Sequence, residues 1–205
     1  MDPTNKASLG KAVAACALAV TALFGPVAAR HVTAAAPVVA PIEMTVPDPK
    51  REALVGYLSG KYGREDEATG AIVDDAYAAG HALNVDPLLV LAVVAVESRF
   101  DSAARNKSGA KGLMQVIPRF HRDKHAEHGG EAAVLDPRVN LLVGTRILRD
   151  YVRQTGSLHA GLQRYAGWED DEERRYARKV ITEKERLHRV VRQATRNAQS
   201  DRSAT

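Results

Sequence analysis

The sequence predicts an all-α domain folded around one central, buried helix. From residue 51 onward, apolar residues recur at helical spacing, and no segment alternates apolar and polar residues over a sustained length. Aromatic residues, which are typical of strands, make up only 5% of the chain. Two Asp-Pro pairs, Asp86-Pro87 and Asp136-Pro137, precede apolar periodic runs, as expected where Asp caps a helix and Pro fills its first turn. The 205 residues suffice for one compact domain with extensions.

The N-terminus has the pattern of an export segment. Lys6 and Lys11 precede the apolar run AVAACALAVTALFGPVAA, and small residues at 27–29 follow the break at Gly25-Pro26. We expect residues 1–29 to be a signal peptide or an uncleaved inner-membrane anchor, because the run approaches the length needed to span a bilayer. The single cysteine, Cys16, excludes an intramolecular disulfide.

The segment after this run is rich in proline and alanine, and we interpret residues 30–50 as an extended linker. Residues 51–182 form the expected catalytic domain. Residues 183–205 form a charged C-terminal helix that frays into a polar tail. The folded part should therefore lie outside the cytosol, in the periplasm.

The helices of the domain follow from the spacing of their apolar residues. One stripe runs from Ile72 to Leu83, and the run LLVLAVVAVES after Pro87 is apolar on nearly all faces, which predicts the buried central helix. After Pro137, apolar residues recur every four positions to Tyr151. A short helix is expected near 157–165, and an amphipathic last helix should begin near Glu172.

Glu97 stands at the C-terminal end of the apolar run. Desolvation and the negative end of the helix dipole both disfavour the charged carboxylate, so both raise its pKa. A glutamate that keeps its proton near neutral pH can act as a general acid, and cleavage of a glycosidic bond needs such an acid. The alternative from the residues alone is that Glu97 caps the helix or pairs with Arg99 or Arg105 at the surface.

The remaining charged residues give no sign of a metal site or a nucleic-acid interface. His121, His125 and His128 lie in a hydrophilic stretch that ends in Gly-Gly, so we interpret it as a solvated segment and expect no metal or cofactor. The net charge is +4, with basic residues spread along the chain, so no nucleic-acid partner is expected. Membrane contact is expected only through the N-terminal segment.

Beyond these patterns, about residues 70–181 resemble the soluble-type lytic transglycosylases, which share a goose-type lysozyme-like fold. The resemblance rests on NVDPLLVLAVVAVESRFD, Ala104 and SGAKGLMQVIP, and continues through LDPRVNLLVGTRIL, RYAG and YARKV. It implies that Glu97 acts first as acid and then as base on peptidoglycan glycan strands. The cleaved bond would join N-acetylmuramic acid to N-acetylglucosamine. The muramic 6-hydroxyl would then attack, leaving a 1,6-anhydro end.

The resemblance also implies a set of substrate-binding residues: Ser98, Gly112, Met114, Gln115, Tyr165 and Tyr176. Ser98 would orient Glu97, Tyr165 would face it, and Met114 and Gln115 would line the groove. The family pattern Tyr-Asn-Ala-Gly is shortened here to Tyr165-Ala166-Gly167, which puts one substrate contact in doubt. Trp168 is a candidate replacement, as a face on which a sugar ring stacks.

Two other functions fit the same residues. A lysozyme-like hydrolase would use the same acid with water as the nucleophile. A non-catalytic peptidoglycan-binding module of an envelope-spanning secretion or appendage assembly would explain the altered segment at Tyr165. The sequence leaves open general wall remodelling against a specialised role, exo against endo action, signal cleavage and oligomeric state.

Overall fold

The computed structural model describes residues 48–168 and 170–203. The predicted export segment, and the linker up to residue 47, lie outside the described residues. Within them, the chain forms α-helices joined by turns, with isolated bridges between Arg105, Lys111 and Val116 in place of strands. The prediction of an all-α domain is therefore confirmed. None of the described helices combines the length and apolar character that a bilayer span requires.

The first three helices of the described residues are α1 (Pro49–Tyr62), α2 (Asp66–Leu83) and α3 (Pro87–Glu97), and α3 ends at the candidate acid. Helix α3 begins as predicted, with the Asp86 side chain accepting a hydrogen bond from the backbone N–H of Leu88 at 2.9 Å. All eight residues from Leu88 to Ala95 are buried. Helix α3 packs against α2 and α8, so it forms the predicted centre of the domain.

The described residues after the polar turn that follows α3 form two short 3-10 helices and five α-helices. The α-helices are α4 (Arg122–His125), α5 (Gly130–Ala133), α6 (Pro137–Thr155), α7 (Leu158–Tyr165) and α8 (Arg175–Ser203). Asp136 caps α6 through a hydrogen bond from the N–H of Val139 at 2.9 Å, as the second Asp-Pro pair predicted. Helix α6 is buried over a wide face, because it packs against both α2 and α7.

The last helix differs from the prediction at both ends. It begins at Arg175 rather than near Glu172, because Arg174 has a left-handed backbone (φ 51°) that cannot continue a helix. The Asp171 carboxylate accepts a hydrogen bond from the N–H of Arg175 at 2.9 Å and so satisfies the new terminus. Instead of fraying from Asn197 onward, the helix continues to Ser203, over a segment that contains the strong helix formers Arg, Gln and Ala. It therefore crosses the boundary at residue 183 without interruption.

Asn140 fixes the segment between α3 and α4. This amide is fully buried on α6, where its Oδ1 accepts from the N–H of Met114 at 2.8 Å. Its Nδ2 donates to the carbonyls of Lys111 at 2.9 Å and Val134 at 2.8 Å. Gly112 has φ 74°, and a Cβ there would lie 2.4 Å from Asn140 Nδ2, so only glycine permits this approach. One side chain thus satisfies three backbone groups in a place that excludes water.

We predict that Asn140→Ala lowers the free energy of unfolding by roughly 2–4 kcal/mol, because the buried groups of Met114 and Val134 lose their partner. Urea unfolding followed by circular dichroism measures the loss. Asn106→Ala is the matched control, because Asn106 holds the same segment but lies at the surface. Its cost should be about 1 kcal/mol or less. Equal losses in the two variants would contradict this role of Asn140.

Candidate functional site

Helix α3 ends abruptly at Glu97. The N–H groups of Ser98 and Arg99 both donate to the carbonyl of Val94, at 3.0 and 3.1 Å. The next two residues are left-handed, with φ 53° at Arg99 and 63° at Phe100, which is costly for a bulky residue. The Phe100 ring is buried and stacks on Tyr62 with the ring centroids 5.4 Å apart. This packing holds the strained turn, so the chain leaves the helix directly after the carboxylate.

Glu97 is partly buried and is bonded to a tyrosine of another helix. Its Oε1 accepts a hydrogen bond from the hydroxyl of Tyr176 at 2.5 Å. Tyr176 is the second residue of α8 and is 6% exposed. Neither Arg99 nor Arg105 pairs with the carboxylate, and within the described part of the chain Glu97 has no ion pair. The surface-pair interpretation of Glu97 therefore does not fit the structure.

The surroundings of Glu97 favour its protonated form. Burial raises the pKa of Glu97, and the hydrogen bond from Tyr176 opposes this without cancelling it. The position at the C-terminal end of α3 acts in the same direction as burial. Burial, followed by the charge of Glu97, also raises the pKa of Tyr176 well above its ordinary value, so its hydroxyl keeps its proton and stays a donor.

Tyr165 lies near Glu97 but donates its hydrogen bond elsewhere. Its hydroxyl is 2.8 Å from the carbonyl of Met114. Burial and then the charge of Glu97 raise the pKa of Tyr165 well above its usual range. The Met114 side chain is fully buried, and its Sδ accepts from the hydroxyl of Thr145 at 3.7 Å. Met114 therefore offers no side-chain surface to a groove and contributes through its carbonyl.

The other predicted binding residues hold the backbone around the acid. The Ser98 hydroxyl donates to the carbonyl of Val94 at 3.1 Å, not to Glu97. Gln115 Nε2 donates to the carbonyls of Ala104 at 3.2 Å and Gly112 at 2.9 Å. The structure thus brings Tyr165 and Tyr176 to the acid and places Ser98, Gly112 and Gln115 in the supporting turns. Their contact with substrate stays a prediction.

The segment between α7 and α8 depends on a residue that the sequence analysis missed. Gln163 is 3% exposed, and its Nε2 donates to the carbonyl of Trp168 at 2.9 Å. Its own carbonyl accepts from the N–H of Trp168, and its Oε1 accepts from the N–H of Ala177, both at 2.9 Å. Trp168 is thereby held beside Tyr176, with the ring centroids 6.5 Å apart, while 46% of it stays exposed. The available signal in the sequence was a glutamine directly after Leu162, inside an expected helix.

The histidines near the site do not assemble into a metal centre. Among residues 48–168 and 170–203, no three His, Cys, Asp or Glu side chains cluster closely enough to hold a metal ion. His125 is buried, with Nε2 3.1 Å from the carbonyl of Pro118. His121 packs edge-on against Tyr151, with the ring centroids 6.3 Å apart. These contacts hold the segment between α3 and α6.

We predict that Tyr176→Phe raises the pKa of Glu97 further, because it removes the hydrogen bond that stabilises the carboxylate. A carbon-13 NMR titration of the glutamate carboxyls measures the shift, and Glu97→Gln assigns the resonance. Tyr165→Phe is the control: it keeps the Tyr176 bond and should move the pKa less. An unchanged or lowered pKa in Tyr176→Phe would contradict the geometry.

Comparisons with known proteins identify the family of the segment that contains Glu97. The family model described as the transglycosylase SLT domain matches residues 75–185. Endo-type membrane-bound lytic murein transglycosylase A of Klebsiella pneumoniae is 37% identical over 105 residues, which cover 48% of this chain and 47% of that protein. A transglycosylase of Enterobacteria phage PRD1 is 33% identical over 90 residues, which cover 44% of this chain and 32% of that protein.

A solved structure shares the helical fold. The lytic transglycosylase Slt of Pseudomonas aeruginosa, crystallised as an inactive glutamate-to-glutamine variant, matches with a TM-score of 0.50 and 18% identity. The match covers 56% of this chain and 23% of that chain. The chain thus spans about half or less of the length of these relatives. The family model covers more than half of the chain, which confirms the resemblance seen in its motifs: the chain belongs to the transglycosylase SLT domain family.

Proposed function

We propose that this chain is a peptidoglycan lytic transglycosylase in which Glu97 is the catalytic acid and base. The observation that carries the proposal is the carboxyl at the end of a buried helix, with its pKa raised by burial and its Oε1 held by the neutral hydroxyl of Tyr176. The names of the relatives, lytic murein transglycosylase and transglycosylase, support the reaction class. The variant form of the structural relative supports a glutamate in the chemistry.

The proposed reaction moves one proton out of Glu97 and back. The bond between the muramic C1 and the glycosidic oxygen breaks, its electron pair stays on that oxygen, and the oxygen takes the proton of Glu97. The muramic 6-hydroxyl oxygen then bonds to C1 and returns its proton to the carboxylate. Tyr176 fits both stages, because a donor to Oε1 stabilises the carboxylate that exists between them. A single acid suffices for this cycle.

Trp168 would bind the sugar next to the acid. Its exposed ring lies beside Tyr176 and is fixed through Gln163, so it presents a rigid face for the apolar side of a sugar ring.

We further propose that the chain is exported, that residues 1–29 act as its signal peptide or anchor it in the inner membrane, and that it acts in the periplasm. Its glycan substrate would be the wall at an envelope-spanning secretion or appendage assembly.

Two alternative functions are compatible with the same residues. A hydrolase with water as the nucleophile would use the same acid and differ only in its product, a reducing end instead of an anhydro end. A non-catalytic binding module is favoured by one observation: the shortened Tyr165-Ala166-Gly167 segment, whose tyrosine bonds the Met114 carbonyl instead of Glu97.

We predict that wild-type protein releases 1,6-anhydro muropeptides from purified sacculi and that Glu97→Gln lowers the rate about 100-fold or more, the usual contribution of a general acid. Mass spectrometry of the soluble products measures both. Glu185→Gln, an exposed glutamate on α8, is the control and should keep full activity. Products with reducing ends would identify the hydrolase. Wild-type protein that binds sacculi and releases nothing would identify the binding module.

We predict that Glu97→Gln also changes how the stability of the fold depends on pH. The pKa of Glu97 is raised above that of an exposed glutamate, about 4.3. Between the two values the folded state binds more protons than the unfolded state, so wild-type stability falls as pH rises through that window. Glu97→Gln should therefore unfold at a higher temperature than wild type at neutral pH, and lose this advantage below about pH 4. A calorimetric Tm below that of wild type at neutral pH would oppose the proposed acid.

We predict that glycan binding changes the fluorescence of Trp168, which is the only tryptophan of the chain. Glu97→Gln protein titrated with peptide-free N-acetylglucosamine oligomers should show a shifted or quenched emission. Phe120→Ala, which removes the other large exposed hydrophobic side chain among the described residues, should leave the signal unchanged. Trp168→Ala should weaken binding about three- to tenfold by calorimetry. Calorimetric binding without any change in emission would remove Trp168 from the sugar site.

A further inference from the structure

A second groove, of about 680 Å³, lies beside the candidate active site. Its floor contains Ala95 and Val96 of α3, one wall comes from the end of α1, and the opposite wall is the outer face of α8. Six cationic side chains line it, against one carboxylate: Lys61, Arg99, Arg175, Arg178, Lys179 and Arg186. A groove lined by one sign of charge concentrates the opposite charge from solution.

The single acid of the groove, Glu183, does not balance these cations. Its side chain is only 5% exposed, with Lys61 Nζ 2.6 Å and Arg186 Nη1 2.9 Å away, so its charge is already taken. Arg175 lies 3.3 Å from Asp171, whose side chain is largely buried, and 3.7 Å from the exposed Glu173, so its charge is engaged by these carboxylates.

Two cations of the groove are left without a carboxylate. Across residues 48–168 and 170–203, neither Arg99 nor Lys179 forms an ion pair, and both are exposed. Arg178 has only a distant contact, 3.8 Å from Glu173. Excess positive charge held in one concave surface is what a binding site for carboxylates or phosphates requires.

The groove is lined by neighbours of the candidate acid on both helices. Val96 precedes Glu97 and Arg99 follows it by two residues. On α8, Tyr176 reaches Glu97, while Arg175 and Lys179 of the same turn face the groove. A glycan strand bound at Glu97 would therefore lie next to residues that line the cationic groove. Muramic sugars of peptidoglycan carry short peptides with free carboxylates, which would leave the strand at this point.

We propose that this groove binds the carboxylates of the peptides carried by the glycan strand, so that the protein selects peptide-bearing over peptide-free glycan. The proposal rests on the proposed peptidoglycan substrate but not on cleavage. The volume of the groove is within the range of pockets that hold a drug-sized molecule. Arg forks match carboxylates in bidentate geometry, which favours this ligand over the uncharged sugars.

Calorimetric titration tests the groove separately from catalysis. The Glu97→Gln chain is titrated with soluble glycan strands released from sacculi by an endopeptidase, which keep their peptides, and with strands released by an amidase, which have lost them. We expect binding to peptide-bearing strands to be about tenfold tighter, and the added substitutions Arg99→Gln and Lys179→Gln to cut that preference about fivefold without weakening binding to peptide-free glycan. The preference should shrink as salt rises.

The matched control is Arg189→Gln with Arg192→Gln. It removes two charges from exposed residues farther along α8, outside the groove, and should keep the preference. Equal loss in both double variants, or equal binding of the Glu97→Gln protein with an intact groove to both kinds of strand, would overturn the proposal in favour of unspecific charge attraction. The proposed catalysis is tested separately, by measuring the release of anhydro products by protein that keeps Glu97. Selective binding without release of products would contradict the proposed catalysis and support carboxylate binding in the groove. Release of products without selective binding would support catalysis and contradict the groove proposal.

Discussion

The packing of α3 determines the chemistry available to Glu97. Eight consecutive residues of this helix are buried, and α2 and α8 contact it, so its axis runs through the interior and its last residue emerges between other elements. A carboxylate placed there is poorly solvated, which raises its pKa. The strained turn at Arg99 and Phe100 ends the helix at once, and Tyr176 supplies one donor from α8. A raised pKa and a fixed orientation thus share one cause, the burial of an apolar helix.

Two buried amides hold the segments that surround the acid. Asn140 ties the turn containing Gly112 and Met114 to α6, and Gln163 ties the turn containing Trp168 to α7 and α8. Each saturates backbone groups that helices cannot satisfy where the chain is irregular. The flanks of the site therefore depend on hydrogen bonds made at a distance from the carboxylate. Loss of either amide would alter the site without removing a side chain that bonds to Glu97.

The sequence predicted those features that depend on local chemistry. The two Asp-Pro helix starts, the burial of α3 and the direction of the Glu97 pKa shift all follow from residue types and spacing. The partner of Glu97 did not, because Tyr165 and Tyr176 both lie at helix ends, where periodicity does not tell which hydroxyl reaches the carboxylate. That depends on the turn from Ala166 to Arg174, whose left-handed residue also displaced the predicted start of α8. Asn140 was detectable as an amide on an apolar face, although its three partners come from distant segments.

The segment that matches the family model is shorter than the set of helices that pack together. The family match begins at residue 75, inside α2, while α1 lies wholly before it and packs along α8. Lys61 of α1 lies 2.6 Å from the buried carboxylate of Glu183, in the helix that carries Tyr176. Excising the matched segment alone, residues 75–185, would remove both Lys61 and Arg186 and leave the desolvated carboxylate of Glu183 without either counter-charge. The smallest excised piece that keeps the support of Tyr176 intact therefore begins at Asp48, the cap of α1.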